Sequence, residues 1–81
     1  MARKVFVEVT ARFDTEGNIT PLSILWEDGF LFEIDRVLDI RRAASLKAGG
    51  QGIRYTIRIG GHTTFLFYEE PRWFVEGKEN P

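Results

Sequence analysis

Residues 53–68 read IRYTIRIGGHTTFLFY. Two runs of β-branched and aromatic residues flank Gly60–Gly61, a pair suited to a two-residue hairpin turn. Counting outward from the turn sets Ile59 opposite His62, Arg58 opposite Thr63, Ile57 opposite Thr64 and Thr56 opposite Phe65. Tyr55 then meets Leu66, Arg54 meets Phe67 and Ile53 meets Tyr68. Opposed residues share a face of the sheet. One face holds Ile53, Tyr55, Ile57, Ile59, His62, Thr64, Leu66 and Tyr68, and is the better core. The other holds Arg54, Thr56, Arg58, Thr63, Phe65 and Phe67.

Upstream, residues 3–13 alternate, with Val5, Val7, Val9, Ala11 and Phe13 on one face and Glu8, Thr10 and Arg12 on the other. This is a half-buried strand whose polar face is interrupted by Phe6. Residues 14–18 are a turn, and 19–26 a second strand with Pro21 at its start or on an edge. Leu22, Ile24 and Trp26 are expected on one face of it. After a turn at Glu27-Asp28-Gly29, Phe30, Phe32 and Ile34 share a face of a third strand. The period fails at Asp35–Arg36, where a bulge is expected to bend the strand sharply. The strand then runs through Arg41, followed by a mobile loop or one helical turn through Gly52. Asp39–Lys47 offers a helical alternative with a thin apolar stripe of Ile40, Ala43 and Ala44. Downstream, Pro71 ends the hairpin and residues 72–76 add a short last strand.

Eighty-one residues bound the chain to one modest core. The reading is a single β domain over residues 1–76 with a frayed polar tail at 77–81. Aromatics are 14% of the chain, enough to fill a small barrel with few residues. The chain has no cysteine, which excludes disulfides and thiolate metal sites and fits a cytoplasmic location. No apolar run reaches the length of a membrane-spanning helix. The opening MARKVFVEVT reads as the first strand rather than a signal peptide. Charge is unevenly divided. Arg36 to His62 holds six basic residues against one acid, a net +5, and the remainder is −6. Bulk charge therefore does not drive nucleic-acid binding, while a local basic face remains open.

Motifs for chemistry fail one by one. His62 is the sole histidine and has no metal-ligand spacing around it. Ser23 and Ser45 lack the glycine-flanked elbow of a nucleophile. Gly49-Gly50-Gln51-Gly52 precedes a strand, with no Lys-Ser/Thr pair after it, so it is no phosphate loop. Adjacent carboxylates such as Glu69–Glu70 point apart in a strand, and residues 14–18 are too short for a helix–loop–helix calcium site. No catalytic residue, metal or cofactor is expected.

The segment from Leu25 to Trp73 resembles small uncharacterised bacterial proteins. The shared elements are Trp26, Gly29, Phe30, Phe32, Arg36-Val37-Leu38-Asp39, Arg54, Gly61, Phe65, Phe67 and Trp73-Phe74. The chain departs from that pattern at Ile40-Arg41, where an aromatic follows the aspartate. The resemblance implies a small barrel and carries no activity or site residue.

The expected fold is all-β: a five- or six-stranded antiparallel meander curled into an SH3-like open barrel. The alternative is a curved antiparallel sheet with one short helix. The expected function is a non-enzymatic interaction module that binds a protein partner or a second copy of itself. Its contacts would be Arg54, Arg58, Phe65 and Phe67, with Arg41 and Arg42 at the rim. The rival reading is a single-stranded nucleic-acid binder using the same face, a phenylalanine stacking a base and arginines touching phosphate. A plainer expectation is that Phe65 and Phe67 close a second small core beneath a 41–52 loop, with arginine stems draped over them.

Overall fold

The computed structural model describes residues 2–45 and 49–78. These form β1 (Ala2–Phe13), β2 (Ile19–Leu25), β3 (Leu31–Glu33), β4 (Arg36–Ser45), β5 (Gly49–Ile59), β6 (His62–Glu69) and β7 (Arg72–Lys78). They make one antiparallel sheet in the order β3-β2-β1-β7-β6-β5-β4. The sheet curls into a half-barrel that is not fully closed. No helix occurs among the described residues.

The strand count exceeds the expected five or six because the bent third strand is split at Ile34–Asp35 into β3 and β4; strand also continues past Arg41. β4 runs to Ser45 and β5 begins at Gly49, where a loop or helical turn was expected. Residues 46–48 lie outside the described residues, as do the side chains of 43–51 and residues 79–81 of the expected tail. β7 runs to Lys78, with Gly77 opposite Arg3 and Lys78 opposite Ala2, so the pairing enters the segment expected to fray.

The hairpin of β5 and β6 has the register that the glycine turn implies, from Ile59 opposite His62 to Ile53 opposite Tyr68. Gly60 and Gly61 sit at φ 54° and 87°, the left-handed pair that a primed two-residue turn needs. Asp35 Oδ2 accepts the Gly60 amide at 2.8 Å and ties this turn to the start of β4.

The curl has a local cause at Ile34–Asp35. The Ile34 amide donates to Leu22 O at 3.0 Å, and the next amide, Asp35, donates to Arg58 O at 2.9 Å. Successive amides of an extended chain point to opposite sides. Residues 31–45 therefore bind β2 first and β5 second, and two residues join the sheet's two edge strands. The bend falls where the sequence places it, but the register shift lies between Val37 and Asp39, leaving Leu38 as the extra residue.

The interior is the face of Ile53, Tyr55, Ile57 and Leu66, joined by Ile24 and Trp73. Tyr55, Ile57 and Leu66 are fully buried. His62 and Thr64, at the turn end of the same face, are exposed. In β2 a bulge sets Ala11 opposite Pro21 and Thr10 opposite Ser23. Pro21 turns into the core and Leu22 is left exposed, so Leu22 does not share the face of Ile24.

Tyr55 Oη donates to Ile19 O at 2.8 Å. In the sheet, β2 and β5 are separated by β1, β7 and β6, so this bond crosses the interior. Burial, followed by the neighbouring Tyr68, raises the Tyr55 pKa above its ordinary value. Tyr55→Phe is expected to lower the unfolding free energy by about 1 kcal/mol, read by urea denaturation. An unchanged midpoint would show that the cross-barrel bond contributes nothing.

The β1–β2 turn is held by Asp14, whose carboxylate accepts the amides of Glu16 and Asn18 at 2.9 and 2.8 Å and Asn18 Nδ2 at 3.0 Å. The Asn18 side chain is the largest cause of a pKa below the ordinary aspartate value. The ionised form is favoured in the fold. This contribution is present above the unfolded-state pKa and is lost as pH falls through the folded one. Acid titration should release the Asn18 amide below the usual aspartate range, and Asp14→Ala should abolish that transition.

Candidate functional site

Strand alternation puts Trp73 inside the half-barrel and its neighbour Phe74 outside. The register then builds a continuous row across five strands of the outer face. Phe6 of β1 lies opposite Phe74 of β7, Phe74 opposite Phe67 of β6, Phe67 opposite Arg54 of β5, and Arg54 opposite Arg41 of β4.

The aromatic half of this row is a second small core. The Phe67 and Phe74 rings stack at 5.0 Å between centroids and 5° between planes. Phe6 meets Phe74 edge-on at 5.8 Å. Phe74 is 0% exposed and Phe67 is 5% exposed, though the described residues form a single sheet with no second one over it. Cationic side chains act as the roof. Lys4 Nζ lies 4.7 Å from the Phe74 centroid and bonds Glu69 Oε1 at 2.8 Å. The Arg72 guanidinium lies 4.0 Å from the Phe6 ring. The expectation of a second core holds for Phe67, while the arginine packed on a ring of the hairpin, Arg54, lies on Phe65. Among the described residues the cover comes from Lys4 and neighbouring rings; most of the expected 41–52 cover lies outside the described side chains.

Phe65 differs from Phe67. It is 44% exposed, and the Arg54 guanidinium packs 4.7 Å from its ring centroid. Arg54 Nε is buried and has no hydrogen-bond partner among the described residues, and the same holds for Glu69 Oε2. Such atoms are uncommon in a settled fold.

The six sequence-selected residues are thus divided. Arg54, Arg58, Phe65, Phe67 and Arg41 lie on the outer face. Arg42 does not, because it stands opposite Ile53 and so projects from the other face. Phe67 is too buried to be a direct contact. Arg41 Nε bonds Asp39 Oδ2 at 2.8 Å, which offsets its charge. Arg36 lies opposite Arg58 and adds a cation to the face. Sequence reasoning missed Arg36, Phe6, Arg72 and Phe74. Phe6 was visible as an apolar break in a polar face. The others needed the pairing of β7 with β1 and of β4 with β5.

The interior opens beside His62 into a groove of about 390 Å³ lined also by Trp26, Phe32, Thr64 and Glu76. Among the described residues, no three His, Asp or Glu side chains gather as a metal site. No helix of the described residues is long and apolar enough to cross a membrane. No protein-family model, curated protein or solved structure matches this chain.

Proposed function

We propose that this protein is a small non-enzymatic interaction module, SH3-like in its open barrel, that binds an extended protein segment on its outer face. The observation that carries this reading is the Phe65–Arg54 pair. A large ring is held exposed on a rigid sheet, with a guanidinium packed on it whose Nε–H has no acceptor among the described residues. Aromatic and arginine side chains dominate binding energy at protein interfaces. The buried Phe67–Phe74 stack fixes the platform, and Arg58 adds a charged donor beside it. A partner carbonyl or carboxylate would accept from the Arg54 guanidinium.

A peptide library panned on the wild-type chain, with counter-selection on Phe65→Ala, tests this. Recovered peptides should bind Arg54→Ala and Phe65→Ala at least about tenfold more weakly than wild type. Peptides that bind all three alike would place recognition elsewhere.

One observation favours the nucleic-acid reading. Arg36 faces Arg58 and Arg41 faces Arg54 on the same surface, with Phe65 beside them. Binding of mixed single-stranded oligonucleotides that falls steeply with salt and is lost in Arg54→Ala/Arg58→Ala would select it. The Asp39–Arg41 and Lys4–Glu69 pairs weigh against it, since both remove cations from phosphate contact.

A further inference from the structure

We propose that β4 pairs antiparallel, edge to edge, with β4 of a second copy of this chain, in the register that sets Ile40 opposite Ile40. The inference goes beyond the reading above and uses a different surface from Phe65. β4 is an outer strand of the open sheet, and among the described residues β5 is the one strand it lies along. Its other edge leaves a row of backbone groups for a partner strand. The bulge at Leu38 ends the regular ladder on one side, and a second shift follows Ala43. The pairable segment is therefore Asp39-Ile40-Arg41-Arg42-Ala43.

Symmetry and charge then choose the register. A two-fold axis through the shared edge sets residues of the same face opposite each other, so the centre must fall on a residue. Centring on Asp39 sets two aspartates together. Centring on Arg41 or Arg42 sets two arginines together, and centring on Ala43 pairs no residue of the segment but Ala43 itself. Like charges directly opposite destabilise a strand pair. Centring on Ile40 sets Asp39 of one copy against Arg41 of the other, twice. It also brings two Ile40 side chains, each 55% exposed in the single chain, against each other. Charge on an edge strand ordinarily blocks pairing; here the order Asp39-Ile40-Arg41 admits one register and opposes its neighbours. Within one chain Arg41 also stands opposite Arg54, a like-charge pair that Asp39 of the second copy would further offset.

The absence of native cysteine makes the test direct. Opposed residues of an antiparallel pair have Cα atoms about 4.5–5.5 Å apart, within disulfide range. Under mild copper–phenanthroline oxidation, Ile40→Cys should give a covalent dimer, and Arg42→Cys should remain monomeric. By sedimentation equilibrium, Asp39→Arg should weaken the wild-type dimer at least about tenfold, and Asp39→Arg/Arg41→Asp should restore it. Phe65→Ala should leave the dimer unchanged while abolishing peptide binding, which separates this surface from the outer face. A wild-type chain that stays monomeric at about millimolar concentration, a scale of weak association, would overturn the proposal. So would Ile40→Cys that cross-links no faster than Arg42→Cys.

Discussion

Phe74→Ala should lower the unfolding free energy by about 3–5 kcal/mol. Phe74 is 0% exposed on a face that no second sheet of the described residues covers, so its removal empties the centre of the outer cluster. Phe67 would lose the ring stacked on it at 5.0 Å, Phe6 its edge contact, and Lys4 the ring beneath its ammonium. Small domains have about 5–15 kcal/mol in all, so this loss approaches the unfolding threshold. Phe65→Ala, at an exposed ring on the same face, should change stability by less than about 1 kcal/mol. Guanidinium denaturation of the two variants side by side reads the difference. Equal effects would mean that the outer face has no core of its own.

Gly52→Ala should cost about 2–3 kcal/mol. A β carbon at Gly52 would stand 2.3 Å from the Tyr68 carbonyl oxygen and 2.8 Å from Glu69 Cγ. The first of these is backbone in the middle of the sheet and cannot turn aside. The expected relief is a shift of β5 away from the end of β6, beside the Ile53–Tyr68 pair. Amide exchange at Ile53 and Tyr68 should therefore quicken more than at Ile57, in the middle of the same hairpin. Uniform exchange with an unchanged midpoint would show that the two strands are not held at that distance.

Gly52 also shows why part of the fold escaped the sequence. Its neighbours Gly49 and Gly50 read as a flexible loop, because glycine weakens a strand locally. The close approach to Tyr68 that makes glycine useful there is a property of the pairing, invisible to local propensity. The β5–β6 hairpin was legible because its turn type, register and two faces follow from two glycines and alternation. Pro21 and Leu22 misled for a different reason. A bulge opposite Thr10–Ala11 changes the phase of β2, and an irregular run such as ITPLSILW does not announce where it falls. At the site, Phe65 and Arg54 were placed on one face correctly because they lie on one hairpin. The division between buried Phe67 and exposed Phe65 depends on Phe74 and Phe6, which arrive through the β1–β7 pairing.

The proposed contact surface is the exposed Phe65 ring with the Arg54 guanidinium packed on it. The most direct measurement follows the Phe65 ring resonances and the Arg54 Nε–Hε signal while labelled protein is titrated, first with a selected peptide and then with a mixed single-stranded oligonucleotide, at low and moderate salt. The expected result is that both signals move with peptide at either salt and stay still with oligonucleotide. Peptide shifts confined to the groove beside His62, with Phe65 and Arg54 unmoved, would contradict it.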